Sequence, residues 1–326
     1  MNSPRIGSDV ARAAHLLRAG ELVAFPTETV YGLGADATND AALARLYDVK
    51  GRPLSHPVIV HVASAERLDD VAHTPPPYAR KLAAAFWPGP LTLIVERRPG
   101  AVSDRATGGR STVGVRVPDH PLARHLLELV GRGVAAPSAN RFGRVSPTTA
   151  QHVVDDLGDD VALVLDGGEC RVGVESTIVD CTDEVPRVLR VGGVTLEALA
   201  EVIGAPLAVG GTTAAPGTLP SHYAPHARVR LASADCVAEE AAAVCDAQTR
   251  VGVLAMDVPA DLDPMVVVLD APGSVEEFAH TLYARLRDAD AAGLEVLFVV
   301  PPPAAGLGVA VIDRLERAAH EAAGPA

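Results

Sequence analysis

Residues 48–62 read DVKGRPLSHPVIVHV. The helix predicted over Asp40 to Lys50 puts Leu43, Leu46 and Tyr47 on one face, and Gly51 stands at C′, where a helix commonly ends in a left-handed residue. The VIVHV that follows reads as a short buried strand. A helix handing over to a buried strand is the unit of layered α/β architecture. Between them lie Lys50 and Arg52, although the sequence holds only two lysines, Lys50 and Lys81, among 28 Lys and Arg. A solvated surface does not distinguish the two cations. A phosphate site does, because lysine brings a compact mobile charge and arginine a planar fork for two oxygens.

Outward from this segment the alternation continues. A first helix is predicted with Ser8 as N-cap, Val10, Ala13, Ala14 and Leu17 on its apolar face and Gly20 as its stop; ELVAFP is then a strand closed by Pro26. Downstream, PPYARKLAAAFWPG begins a helix on prolines and stops it at Pro88. Strands are predicted at LTLIVE, TVGVRV, GVAAPS, VALVLD, STIVD and RVLRV, with helices near 120–130, 148–157 and 195–203. The expectation is one mixed α/β domain over residues 1–204.

Residues 205–227 are rich in Gly, Pro, Thr and Ala and form a linker. Connections beyond about 12–15 residues are either flexible or functional, and Ser221, His222, Tyr223 and His226 are more than a spacer needs. Over 228–326, VRLA, RVGVLAM, MVVVLD and EVLFVV alternate with helices at 235–247, 274–292 and 308–320, and Ser274 with Glu277 makes a capping box. This is a small Rossmann-like α/β domain with a largely parallel sheet.

A chain of 326 residues suits two domains better than one core, and 48% hydrophobic with 21% charged residues describes a soluble globular protein. Aromatics are only 3%, so Ala, Val and Leu must fill the interior. Cys170, Cys181, Cys236 and Cys245 form no C-x-x-C pair and read as reduced thiols. With no leader pattern and no long apolar run, a cytoplasmic protein without membrane contact is expected. The net charge is −13, of which residues 210–326 carry −9, while residues 45–144 have a local excess of +7. Such an excess focuses anions into a cleft or is a solvated basic face.

Several motifs fail. GLGADA at 32–37 matches a dinucleotide pattern, but the helix cap falls later, at Asn39 and Asp40, so Gly32 and Gly34 are assigned to a turn. Walker, H-E-x-x-H, G-x-S-x-G and S-x-x-K patterns are absent. His222 and His226 have a metal-like spacing, but Pro225 between them argues against a helical site. His120 and His125 read as surface groups.

What remains is an ordered set: FPTETVYGLGADA at 25–37, KGRPLSHPVIVH at 50–61, WPGPLT at 87–92, STVGVRVP at 111–118, PSANRFGRVSPT at 137–148, GVESTIVD at 173–180 and VLRVGG at 188–193. Cations and hydroxyls recur at strand ends and in the loops beyond them, where α/β sheets bind ligands.

This set resembles the threonylcarbamoyl-AMP synthase family, whose catalytic unit is a YrdC-like domain; the likeness spans residues 8–203 and continues through HYAP and GLGVAVIDRLERAA into the longer two-domain form. The resemblance implies a YrdC-like mixed twisted sheet and a nucleotidyltransferase that makes L-threonylcarbamoyladenylate from L-threonine, bicarbonate or CO2 and ATP with Mg²⁺, releasing pyrophosphate. It implies a downstream transferase acting on adenosine 37 of tRNAs that read ANN codons, and leaves open a weak contact with tRNA itself. By motif position, Thr29, His61, Arg116, Ala136 and Ser176 would hold threonine or its carbamate. Lys50, Arg52, His56, Thr112, Ser138, Ser146 and Arg190 would hold the nucleotide, with Lys50 and Arg52 the catalytic cations, and His222 and Tyr223 would belong to a lid. Removing Lys50 or Arg52 is then expected to weaken ATP use more than threonine binding. His56 and Asp313 depart from the family pattern, which usually has Asn at both places.

Two other readings stay open at this point. The basic excess suits an RNA-binding module, against which stand the overall charge and the lack of aromatic stacking strips. A carbamoyltransferase-type YrdC-like protein would carry a further catalytic domain, which this sequence lacks, and the hydrogenase-maturation type zinc-binding cysteine pairs as well. The C-terminal domain reads either as support for the lid or as a ligand sensor.

Overall fold

The structure, a computed structural model, describes residues 5–211, 213, 215–217 and 222–320. The chain forms two compact units, one of Met1–Phe142 with Ser146–Thr218 and the other of Gly143–Val145 with Leu219–Ala326. The 205–227 linker is therefore divided between them, and Ser221 lies outside the described residues.

The first unit is built on β1 (Arg5–Gly7), β2 (Val23–Phe25), β3 (Gly32–Asp36), β4 (Ile59–His61), β5 (Leu91–Glu96), β6 (Thr112–Arg116), β7 (Val134–Ala135), β8 (Leu163–Leu165), β9 (Thr177–Asp180), β10 (Arg187–Arg190) and β11 (Ala208–Val209). They form one mixed eleven-stranded sheet in the order β1-β8-β2-β3-β7-β4-β6-β5-β9-β10-β11. Alternation along the strands divides the interior into two apolar clusters. In β2, Ala24 joins one cluster and Val23 and Phe25 the other; in β7, Ala135 and Val134 divide the same way. Helices Val10–Arg18 and Pro121–Val130 bury Leu17 and Leu126 in the second cluster, while Asp40–Lys50 and Pro77–Phe86 bury Leu43 and Leu82 in the first.

The second unit has β12 (Arg228–Leu231), β13 (Val251–Leu254), β14 (Val267–Val268) and β15 (Val296–Val299), all parallel, in the order β12-β15-β13-β14. Ser274 caps helix Val275–Ala291 by accepting from the Glu277 amide at 3.1 Å. The Glu277 carboxylate reaches back to the Gly273 amide at 2.7 Å, one residue beyond the usual capping-box partner.

Local expectations held at Asn39, whose Oδ1 accepts from the Ala41 and Ala42 amides, and at Gly51, which takes φ 64°. Three did not. Asp9 rather than Ser8 caps the first helix, its carboxylate accepting from the Arg12 amide at 2.9 Å. Gly32 and Gly34 lie in β3, not in a turn. A Cβ on Gly34 would stand 2.9 Å from the Phe25 ring and 3.0 Å from the Val23 carbonyl, so close strand approach is what requires glycine there. His120 is the half-buried cap of helix Pro121–Val130, its Nδ1 accepting from the Leu122 amide at 3.2 Å.

Candidate active site

Strand register assembles one line of polar side chains across the sheet. In the parallel β4–β6 ladder His61 pairs with Arg116. β5 runs antiparallel to β6, and one step beyond the Leu93–Val115 pair brings Thr92 beside Arg116. β9 runs parallel to β5 with Thr177 opposite Leu91, which brings Ser176 to the same edge, and Arg190 of β10 pairs with Ile178. Thus the sheet alone juxtaposes His61, Arg116, Thr92, Ser176 and Arg190, all buried.

The loop after β2 packs on this line. Arg116 Nη2 donates to Glu28 Oε1 at 2.7 Å and to Thr29 Oγ1 at 2.9 Å, and its Nε donates to the Gly89 carbonyl at 3.3 Å. The other Glu28 oxygen accepts from the Asp119 amide at 2.9 Å, so both carboxylate oxygens are held. Thr27 Oγ1 donates to the Val30 carbonyl at 2.6 Å, which leaves the Thr29 hydroxyl as the donor in the 2.8 Å bond between the two threonines. Thr92 and Ser176 share a hydroxyl bond at 2.8 Å. Arg190 grips the Ser176 carbonyl with Nε at 3.1 Å and Nη2 at 2.8 Å, and its Nη1 donates to the Pro216 carbonyl at 2.9 Å. Ser146 donates to Glu175 at 2.7 Å. The Ala136 amide donates to the Ile59 carbonyl at 2.9 Å, which sets Ala136 against the start of β4.

Between Thr92 and the opposite end of β6 lies a small crevice of about 10 Å³, lined by Pro57, Val58, Ile59, Ile94, Thr112, Gly114, Ile178 and Pro216. Thr112 and Arg116 are on one face of β6 but at its two ends, so Thr112 is not at the strand end that holds the threonine-side residues. Gly114 between them carries no side chain; a Cβ there would already be 3.4 Å from Thr92.

The two cations of the 48–62 stretch are directed onto backbone. Lys50 is 2% exposed, and its Nζ donates to the Ser138 carbonyl at 2.6 Å and the Asn140 carbonyl at 2.5 Å. Burial, then the nearby Arg52, pushes its pKa well below the ordinary lysine value. Arg52 donates to the His56 and Pro57 carbonyls at 3.3 and 2.8 Å and lies 5.6 Å from the Phe142 ring centre. The His56 pKa is lowered by burial and by Arg52 and Arg110. His61 is lowered to about 3, mainly by burial and then by Arg116, and its Nδ1 is buried with no hydrogen-bond partner among the described residues.

The linker begins as β11, parallel to β10 at the sheet's edge, and Thr213 donates to Asp180 at 2.5 Å. His222 and Tyr223 belong to the second unit. There Tyr223 is 1% exposed, stacks on Tyr283 with ring centres 5.7 Å apart, and lies 5.2 Å from the Arg314 guanidinium. His222 packs on the Tyr223 edge at 4.1 Å. Asp313 pairs with Arg314 and, at 2.8 Å, with Arg317. No group of three or more His, Cys, Asp or Glu among the described residues could hold a metal, His222 and His226 included.

Sequence reading assigned no role to Glu28, Glu175 or Thr92, although each stood in a quoted motif. An acid two residues after Pro26, in the loop following β2, was the available signal for the Arg116 partner.

Fold and site together define the class: a YrdC-like mixed α/β unit followed by a separate parallel α/β unit. Residues 15–192 match the family model described as "Telomere recombination", and residues 194–320 match that described as "Threonylcarbamoyl-AMP synthase, C-terminal domain". The threonylcarbamoyl-AMP synthase of Bacillus subtilis is 41% identical over 98% of this chain and 94% of its own. That of Pyrococcus abyssi is 42% identical over 94% of this chain and 92% of its own. The crystal structure of Pyrococcus abyssi Sua5 complexed with L-threonine superposes with a TM-score of 0.87, at 41% identity, over 95% of this chain and 94% of that one. The chain belongs to the threonylcarbamoyl-AMP synthase family.

Proposed function

We propose that this protein is a nucleotidyltransferase that makes L-threonylcarbamoyladenylate from L-threonine, bicarbonate or CO2 and ATP and releases pyrophosphate. The observation that carries this reading is the line of His61, Arg116, Thr92, Ser176 and Arg190 across five strands. A small hydroxy amino acid needs a cation and several hydroxyls in a confined place, and the line supplies both.

The reaction has two bond-forming steps. The neutral threonine amine attacks CO2, forming the N–C bond and losing a proton. The carbamate oxygen then attacks the α-phosphorus as pyrophosphate departs. Neither step needs a covalent enzyme nucleophile, so the task of the protein is orientation and charge stabilisation. Arg116, held by Glu28 and Thr29, would meet the carboxylate or carbamate without reorganising. His61 at a pKa of about 3 stays neutral at physiological pH and adds no second charge beside Arg116. Lys50 and Arg52 shape the nucleotide end, Lys50 by holding the Ser138–Asn140 loop and Arg52 by holding Pro57. Thr112, Ser138 and Ser146 complete that end in this reading, with Ala136 beside threonine.

The fit to Mg²⁺ follows from the donor set. Glu28 is tied to Arg116, and no described cluster offers three metal ligands, so Mg²⁺ would enter on the phosphates of ATP rather than in a protein cage. When bound it would neutralise charge on the departing pyrophosphate. The first part of the linker, with Pro216 on the crevice, would act as the lid. The product would pass in the cytoplasm to a transferase that modifies adenosine 37 of tRNA.

Purified protein with ATP, Mg²⁺ and bicarbonate should release pyrophosphate only when threonine is added, with the adenylate detected by mass. Equal release with and without threonine would refute the reading.

A further inference from the structure

Three consecutive carbonyls in the loop of residues 52–57 are each held by a different side chain. Arg110 Nη1 donates to Ser55 O at 2.7 Å, Tyr47 OH to His56 O at 2.8 Å, and Arg52 Nη2 to Pro57 O at 2.8 Å. The backbone adds the Val58 amide on the Ala106 carbonyl at 2.9 Å and the His56 amide on the Pro53 carbonyl at 3.0 Å. The segment Asp104–Arg110 is thus a platform on which this loop is fixed. Gly108 makes the approach possible: it takes φ 61°, and a Cβ there would fall 2.6 Å from Ser55 O.

Arg52 was already assigned to the nucleotide. Arg110 and Tyr47 were not, and each has a feature that a merely space-filling residue lacks. Arg110 is half-buried with no acidic partner within ion-pair distance among the described residues, its Nη1 being spent on the carbonyls of Ser55, Thr107 and Gly108. Its charge is therefore delivered, uncompensated, to the loop that carries Arg52 and His56. Tyr47 is 1% exposed, and burial raises its pKa, so the phenol remains a donor. Its single proton serves His56 O at 2.8 Å or Arg105 O at 3.0 Å, tying loop to platform. Pro57, the last residue so held, is a wall of the crevice.

We propose that Arg110 and Tyr47 are positioning residues for the nucleotide half of the catalytic site, fixing the Arg52–Pro57 loop against the Asp104–Arg110 platform. This rests on the threonylcarbamoyladenylate reading above. Their action is on ATP and not on threonine, because the threonine-side line is held by other bonds, from Glu28, Thr29 and Ser176.

The test is steady-state kinetics of Arg110→Met, Arg110→Lys, Tyr47→Phe and the Arg110→Met/Tyr47→Phe double variant, with thermal midpoints measured alongside. Arg110→Met and Tyr47→Phe should each raise the KM for ATP about tenfold and leave the KM for threonine within about twofold. Arg110→Lys, which keeps a charged donor for Ser55 O, should recover most of the loss. The double variant should lose less than the product of the single effects, because both residues hold one loop. An unchanged KM for ATP in both single variants, or an equal rise in both KM values, overturns the proposal. If the unaltered enzyme lacks threonine-dependent pyrophosphate release, the functional reading itself is what fails.

Discussion

His61 stands opposite Arg116 in the β4–β6 ladder, and both are nearly inaccessible, at 3% and 4% exposure. A histidine in such a place cannot take up a proton cheaply, and its pKa of about 3 reflects burial first and the guanidinium second. The unfolded chain binds that proton near pH 6.5, so below this pH the unfolded state holds more protons than the folded one. The contribution of His61 to stability is therefore full above about pH 6.5 and is lost as pH falls toward 3, by up to about 1.4 kcal/mol per unit. Replacing His61 by Gln should flatten the acid limb by roughly 2–3 kcal/mol between pH 6.5 and 4.5. Urea midpoints of the two proteins at both pH values measure this, and parallel acid limbs would refute it.

The Glu28–Arg116 pair, 2.7 Å apart with side chains 1% and 5% exposed, is a buried ion pair with its remaining valences tied to backbone and Thr29. Removing one partner strands the other. Arg116→Met should cost about 3–5 kcal/mol of stability and abolish threonine use, and Glu28→Gln should cost less because an amide still accepts from the guanidinium. The double variant Arg116→Met/Glu28→Gln should regain part of the loss. Strict additivity in denaturant titrations would show that the two side chains do not act as a pair.

Much of this was legible in order along the chain. The helix at Asp40–Lys50, the αL residue at Gly51 and the strand at Ile59–His61 follow from short-range chemistry: apolar spacing, a glycine stop and a β-branched run. The row across the sheet did not, because it depends on which strands become neighbours. Ser176 and Thr92 are 84 positions apart in sequence and Arg116 and Glu28 are 88 apart, and no local pattern encodes those encounters. Gly32 and Gly34 were misread for a related reason. At Gly34 the need for glycine comes from Phe25 and Val23 on the adjoining strand, and at Gly32 the nearest neighbour is Ala136, encounters that a turn preference cannot reveal. Strand β11, two residues in a Gly- and Ala-rich tract, forms because β10 offers an open edge.

Arg190 makes a prediction about the linker. Its fork takes the Ser176 carbonyl with two nitrogens while Nη1 reaches Pro216, a geometry that one ammonium group cannot reproduce. Arg190, assigned to the nucleotide by motif position, also fixes the backbone of Ser176, so Arg190→Lys should lower kcat/KM for both ATP and threonine about tenfold or more with only a small change in thermal midpoint. Limited proteolysis should also cut more readily near Pro216. Unaltered kcat/KM, with unaltered cleavage, would mean that the fork has no part in catalysis.

Gly192 is the most stringent position on the threonine side. A Cβ there would fall 2.2 Å from the Glu175 carbonyl oxygen, 2.6 Å from the Ser176 carbonyl carbon and 2.7 Å from the Thr177 nitrogen, all backbone atoms. That backbone is itself pinned, since the Gly193 amide donates to Glu175 O at 3.0 Å and Thr177 Oγ1 donates to the Val194 carbonyl at 2.6 Å. Gly192→Ala must therefore displace Ser176, at a cost of about 1–3 kcal/mol in stability and a larger loss in kcat/KM for threonine than in the KM for ATP. Gly158→Ala supplies the contrast: its φ of 50° with ψ of −129° strains alanine by about 1–3 kcal/mol, but nothing lies within 4 Å of the added carbon. If Gly192→Ala and Gly158→Ala lose stability alike and both keep full threonine kinetics, steric closure behind Ser176 is not what glycine provides at position 192.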